Sequence, residues 1–227
     1  MITDKQLPEA YKEGVADFYG REFRVSSDVL IPRPETEAAI DELLLLAGRP
    51  YLPGMKKPER QLPAVPLIVD VGTGSGCIAV TLKLEIPEAN VIGLDVSEKA
   101  LCVARKNAEK LGAKVDFAET DLLTEYDGGV PDIIVANLPY VDRNWEWLDK
   151  EALKHEPSLA LYADNRGLAL IFRLIDEVEK MTKSNRKQKW ILLEADPCQH
   201  DEIITYAEKR SLVHRKTNGY WLVFRGC

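Results

Sequence analysis

The junction between residues 67 and 76 constrains this chain most. Leu67-Ile68-Val69-Asp70-Val71 is a near-continuous apolar run, the pattern of a strand covered on both faces, and it leads straight into Gly72-Thr73-Gly74-Ser75-Gly76. Glycines between a strand and a helix leave bare backbone where a nucleotide-like ligand can approach closely. From residue 67 onward, short β-rich runs alternate with longer amphipathic ones, which predicts strands crossing over through helices into a parallel sheet. A helix is expected from about Gly76 to Glu85, stopping near Pro87. Next come a strand over Asn90–Val96, a helix capped by Ser97 and ending at Leu111 before Gly112, and a strand over Lys114–Glu119. Pro131–Asn137 reads as the fourth strand. Gly167–Thr182 is helical by period, with Leu168, Ile171, Phe172, Ile175 and Val178 on one face. Lys189–Glu194 is a fifth strand, followed by a helix to about Arg210. Leu212–Lys216 and Tyr220–Arg225 around Asn218-Gly219 read as a hairpin, so the last strand of the sheet is expected to be antiparallel.

Upstream, the aromatic and β-branched stretch Asp17–Val25 predicts a small β element, and Ile31-Pro32-Arg33-Pro34-Glu35-Thr36-Glu37 opens a helix running to about Ala47. Residues 49–66 hold five prolines and read as a linker or surface loop. The expected organisation is an N-terminal β element and helix over 1–48, that connection, and a large α/β unit over 67–227. No apolar run approaches the ~18 residues of a membrane span, and the first residues lack the pattern of a secretory signal, so a cytoplasmic protein is expected. Cys77, Cys102, Cys198 and Cys227 are scattered, and with His155, His200 and His214 they form no zinc spacing; no metal is expected. The net charge of −7 speaks against sequence-independent attraction to nucleic acid. A basic stretch from Lys180 to Lys189, with Lys183, Arg186 and Lys187, falls between a helix and a strand and reads as a solvated loop.

The chemistry concentrates at predicted strand ends. Asp95 ends the second strand, where a carboxylate can accept from both ribose hydroxyls of an adenosine moiety, with Val96 beside it. Asp121, past the third strand, can accept from an adenine amino group, with Leu122 against the ring. A nicotinamide fingerprint would place its third glycine at position 77, where this chain has Cys77. Asn137-Leu138-Pro139-Tyr140 ends the fourth strand. There the Asn137 side-chain oxygen and the Leu138 carbonyl can each accept one N–H of a planar NH2 group. Pro139 fixes the bend, and Tyr140 offers a face for stacking.

The tetrapeptide resembles the (N/D/S)-(P/L/I)-P-(Y/F/W) motif of methyltransferases that act on planar amino or amide nitrogens. Phe18-Tyr19-Gly20-Arg21-Glu22-Phe23-Arg24-Val25 and Val29-Leu30-Ile31-Pro32-Arg33-Pro34-Glu35-Thr36-Glu37 are similar to the F-Y-G-x-x-F-x-V and L-I-P-R-P-E-T-E elements of the HemK/PrmC family, protein-glutamine methyltransferases that modify peptide chain release factors. Asp70–Ala79 and His155–Leu161 resemble further segments of that family. The resemblance implies a Rossmann-like class I methyltransferase, with a mostly parallel seven-stranded sheet, an antiparallel C-terminal strand and the small N-terminal β element and helix. It implies S-adenosyl-L-methionine as cofactor, held by Gly72, Thr73, Gly74, Ser75, Gly76, Asp95, Val96, Asp121, Leu122 and Asn137. It also implies Asn137, Leu138, Pro139 and Tyr140 as the catalytic element, and Phe18, Arg33, Glu35 and Thr36 at the substrate mouth.

Two departures bear on the substrate. Leu138 replaces the family's usual proline, and little sequence precedes the matching segment where the family carries a helical domain that helps hold the release factor. A release-factor glutamine is the first expectation, with a partner subunit possible in place of that domain. An adenine amino group in RNA or DNA, and a non-catalytic cofactor-binding subunit, are the alternatives that stay open here.

Overall fold

The computed structural model describes residues 7–185 and 189–226. A short helix α1 (Glu9–Glu13) leads into a hairpin of β1 (Val15–Phe18) and β2 (Arg21–Arg24), and a single 3-10 turn over Pro34–Thr36 opens α2 (Glu37–Leu46). Then β3 (Leu67–Val71), α3 (Cys77–Glu85), β4 (Asn90–Asp95), α4 (Glu98–Leu111), β5 (Asp116–Glu119) and β6 (Ile133–Ala136) follow in alternation. After β6 come α5 (Lys150–Leu153), α6 (Ser158–Leu161), α7 (Ala169–Asn185), β7 (Lys189–Glu194), α8 (His200–Glu208), β8 (Leu212–Asn218) and β9 (Trp221–Gly226).

The seven strands from β3 onward form one sheet in the order β5-β4-β3-β6-β7-β9-β8. Strands β3 to β7 pair in parallel, and β9 lies antiparallel between β7 and β8, as the C-terminal hairpin pattern predicts. Both faces of the central strands are buried, and the pleat divides their side chains between two cores. Ile68, Ile133, Val135 and Leu192 face α2, α3 and the hairpin, while Val69, Ile134, Ile191 and Leu193 face α7 and α8. Phe18 and Phe23 belong to the first of these cores, edge to face at 6.0 Å. The hairpin therefore shares its core with the sheet.

Element boundaries differ from the expectations at a few ends, each for a local reason. α7 begins at Ala169 rather than Gly167 because Gly167 adopts φ +83°, and a Cβ there would lie 1.9 Å from the Tyr140 carbonyl oxygen. β6 is shorter than expected because Asp132 turns its carboxylate to the backbone N–H of Leu67 at 2.9 Å and caps the β3 edge. The final helix is preceded by a 3-10 turn over Pro197–Gln199, opened by a capping box between Asp196 and Gln199. Ser97 caps α4 by accepting from Ala100 N, and Gly112 ends it in the left-handed conformation, both as expected. In the connection 49–66, Leu62 is buried in the first core and Gln61 N donates to Leu46 O. The basic stretch is not the expected solvated loop where it is described: Lys180 and Lys183 belong to α7 and Lys189 is buried at the start of β7, while Arg186 and Lys187 lie outside the described residues. Among the described residues no helix is long and apolar enough to cross a membrane, and no His, Cys, Asp and Glu cluster could hold a metal ion.

One buried polar residue joins three elements. Asn107 of α4 accepts from Arg24 N at 2.7 Å and donates to Arg24 O at 3.0 Å and to Ser75 O at 2.8 Å, so it ties the hairpin and the glycine loop to one helix. Replacing Asn107 by Ala leaves the buried Ser75 carbonyl and the half-buried backbone groups of Arg24 without these partners. We expect a loss of about 2–3 kcal/mol in unfolding free energy by urea denaturation at unchanged m-value, and a loss under about 0.5 kcal/mol would show that the tether is dispensable.

Candidate active site

The sheet order reverses between β3 and β6: the chain leaves β3 toward β4 and β5 on one side and returns to β6 on the other. At such a point the loops from neighbouring strands diverge and open a crevice beyond their carboxyl ends. The glycine loop leaves β3 there, and the tetrapeptide leaves β6.

Gly72 N and Thr73 N both donate to Leu94 O at 2.8 Å, which folds the loop back over β4. Gly72 has φ +75°, and a Cβ on it would come within 3.0 Å of a Leu138 methyl group, so the two loops meet through a contact that only glycine allows. Asp70 holds the loop from beneath. Its Oδ2 accepts from the Thr73 hydroxyl at 2.6 Å and from Ala79 N at 3.2 Å, while Oδ1 meets no partner among the described residues. Complete burial pushes the Asp70 carboxyl up to about 7, against the lowering effect of those two hydrogen bonds. Asp95 ends β4 and accepts from Gly74 N and Ser97 N, each at 2.9 Å. Burial raises its pKa, and backbone hydrogen bonds from Ser97, Gly74 and Val96 oppose that rise.

These elements enclose a cavity of about 490 Å³, within the range of small-molecule sites. Of the loop residues singled out from sequence, Gly72, Thr73, Gly74 and Ser75 line it, and so do Asp95, Val96, Asp121 and Leu122. Asn137, Leu138 and Pro139 line it from β6, and Arg33 and Thr36 from the N-terminal segment. Four expected residues do not. Gly76 opens α3 and packs against Ala104 of α4, away from the cavity. Phe18 is 1% exposed in the core beneath the hairpin, so its ring cannot reach a substrate mouth. Glu35 is exposed outside the cavity and uses its carbonyl to accept from Trp221 Nε1 at 3.2 Å. Tyr140 stands behind the lining, with its hydroxyl turned to Glu194 at 3.2 Å and its carbonyl accepting from Gln199 Nε2 at 2.8 Å. Its hydroxyl thus points back into the protein.

The cavity's charge is informative. Its two cations are both committed, Arg33 to Glu156 and Arg173 to Asp121, the latter at 2.5 Å. Among the described residues no basic side chain of the lining is therefore left free for a phosphate, whereas the carboxylates and bare backbone suit a ligand rich in hydroxyl and amino donors. Asp121, expected from sequence as an acceptor, shares its carboxylate with Arg173.

Asn137 donates through Nδ2 to Thr36 Oγ1 at 3.2 Å, and the Thr36 hydroxyl donates to Glu194 Oε2 at 2.7 Å. Among the described residues no hydrogen bond is made to Asn137 Oδ1 or to the Leu138 carbonyl. Glu194, Gln199 and Glu156 were not singled out from sequence. Glu194 ends an apolar strand next to β6, a position of the kind Asp95 occupies at the end of β4, and that similarity was the signal available.

Residues 59–153 match the model of the Methyltransferase small domain family. A release factor glutamine methyltransferase of Enterococcus faecalis is 40% identical over 189 residues, which is 82% of this chain and 62% of that protein. Its counterpart from Koribacter versatilis is 40% identical over 197 residues, 84% of this chain and 65% of that protein. The chain spans about three fifths of the length of the curated relatives it matches. The T. thermophilus 16S rRNA N2 G1207 methyltransferase, solved with AdoMet and guanosine, superposes with a TM-score of 0.62 at 15% identity, over 93% of this chain and 49% of that one. Strand order, the antiparallel last strand and this superposition agree on the fold, and the sequence matches agree on the relatives. The chain has the Rossmann-like class I methyltransferase fold and is related by sequence to the release factor glutamine methyltransferases.

Proposed function

We propose that the chain transfers a methyl group from S-adenosylmethionine to the side-chain amide of a protein glutamine, with a peptide chain release factor as the substrate. The observation that carries this reading is the pair of unengaged acceptors at the end of β6. Asn137 Oδ1 and the Leu138 carbonyl are matched in number to the two hydrogens of a primary amide. The names of the curated relatives point to the same acceptor.

The cavity's residues fit the cofactor by their chemistry: Asp95 offers carboxylate lone pairs for ribose hydroxyls, and the glycine loop brings bare backbone to the same wall. When bound there, S-adenosylmethionine supplies an electrophilic methyl carbon on a positively charged sulfur. An amide nitrogen is a poor nucleophile because its lone pair is delocalised into the carbonyl. Asn137 and Leu138 take up its two N–H groups, orient the lone pair and stabilise the positive charge that grows on nitrogen as the new N–C bond forms. The bound cofactor would supply the leaving group, its sulfur keeping the C–S electron pair. The methylated nitrogen then loses a proton that has become acidic, so no strong base is needed. Leu138, buried against Gly72, keeps the carbonyl acceptor while replacing the rigidity of a proline by packing. Residues 67–227 form the catalytic unit in this reading, the N-terminal residues to 48 bring Arg33 and Thr36 to the cavity, and 49–66 connect the two. The protein acts in the cytoplasm.

Asp95→Ala should weaken S-adenosylmethionine binding by about 1.5–3 kcal/mol in calorimetry, the range for hydrogen bonds to a charged group. Unchanged affinity would remove Asp95 from the site. Asn137→Ala should leave that affinity within a few-fold and slow single-turnover methylation of a release factor by about 100-fold or more, as expected for losing one positioned acceptor in a transition state. A variant as fast as wild type would refute the role of Asn137. Labelling of adenine in RNA, with none on a release factor, would replace the acceptor and keep the chemistry.

A further inference from the structure

We propose that Glu194 is a positioning residue that sets the orientation of the Asn137 amide through the Thr36 hydroxyl. The proposal rests on reading Asn137 as the group that holds the methyl acceptor. Glu194 closes β7, the strand beside β6, and is 1% exposed. Its Oε2 accepts from Thr36 Oγ1 at 2.7 Å and its Oε1 from the Tyr140 hydroxyl at 3.2 Å. A hydroxyl carries a single hydrogen. With that hydrogen on the carboxylate, Thr36 Oγ1 can only accept from Asn137, and Asn137 meets it with Nδ2 at 3.2 Å. The amide is thereby fixed with Nδ2 toward Glu194 and Oδ1 left for the acceptor.

Shape alone cannot enforce this orientation, because the oxygen and nitrogen ends of a carboxamide are nearly the same size. Only the polarity of the hydrogen-bond chain distinguishes them. If Glu194 carries a proton, Oε2 can donate to Thr36, the hydroxyl hydrogen turns toward Asn137, and the amide flips. Asn137 then offers NH2 to an NH2, donor against donor.

The groups facing Glu194 place its ionisation where this matters. Burial pushes its carboxyl up to about 7, hydrogen bonds from Thr36 and Tyr140 and the nearby Asn137 amide hold it down, and the charge of Glu35 raises it. Cys77 at the head of α3 also faces it, with a thiol pushed up to about 12 by burial, and Tyr220 lies beyond Tyr140. The productive orientation of Asn137 thus requires the ionised form and grows as pH rises through about 7.

The test follows the Asn137 side-chain NH2 by 15N-edited NMR of the full chain between about pH 5.5 and about pH 8.5, with the signal assigned by its loss in Asn137→Ala. In wild type the signal should shift with a midpoint near 7. The shift should vanish in Glu194→Gln and in Thr36→Val, and Thr36→Ser, which keeps the hydroxyl, should restore it. A signal with the same pH response in wild type and in the variant lacking the carboxylate or the hydroxyl overturns the proposal. With a release factor as substrate, Glu194→Gln should lower kcat by about 10- to 100-fold with KM for S-adenosylmethionine within about 3-fold, and should flatten the rise of kcat with pH. An unchanged kcat and pH profile likewise overturns it. If wild type does not methylate a release factor but the Asn137 signal still titrates through Glu194, the substrate assignment fails and the orientation mechanism stands.

Discussion

Parallel pairing of β3 with β4 on one side and β6 on the other is the constraint from which the site follows. The chain must move outward from β3 through β4 and β5 and then cross back, so the turns leaving β3 and β6 are pushed to opposite sides and a gap opens between them. Into that gap come backbone without side chains from β3, a carboxylate from β4 and a bent tetrapeptide from β6. Strand order therefore brings these three parts of the site together.

The N-terminal segment completes the crevice. Thr36 enters from the turn ahead of α2, Arg33 pairs with the buried Glu156 after the tetrapeptide, and Trp221 of β9 holds the Glu35 carbonyl. On the other side, Asn107 fastens the hairpin to the same loop that lines the cavity. Displacing the hairpin or α2 would consequently disturb the glycine loop and Asn137 together.

Electrostatically the site is built from carboxylates rather than cations. Asp70 and Glu194 are both buried with pKa values near 7, well above those of exposed acids. An acid whose pKa is higher in the fold than in the unfolded chain contributes stability that is fully present below the unfolded value, and that contribution is lost as pH rises through about 7. The ionised form of Glu194 that orients Asn137 thus weighs against the fold. Hydrogen bonds from Thr36 and Tyr140 offset part of that cost.

The seven strands, the capped helix α4, the C-terminal hairpin and the two loops of the crevice were all legible in the sequence. Each is written in short local signals: continuous apolar runs, Ser97 and Gly112 at the two ends of α4, Asn218-Gly219, and the glycine cluster at a strand end. Residues expected near the substrate by position in a motif fared unevenly, since Thr36 lines the cavity while Phe18, the residue just before the turn of the hairpin, packs inward. A motif fixes the order of side chains, but the pleat and the register fix which way each one points. What only the tertiary structure decided is the group behind the tetrapeptide. Thr36 is 101 residues from Asn137 and 158 from Glu194, and their contact exists because β7 pairs beside β6 while α2 packs across the sheet. Local periodicity reports on burial along one element, whereas the polarity of a hydrogen-bond chain among three distant elements depends on their mutual placement, which the long-range strand pairing alone establishes.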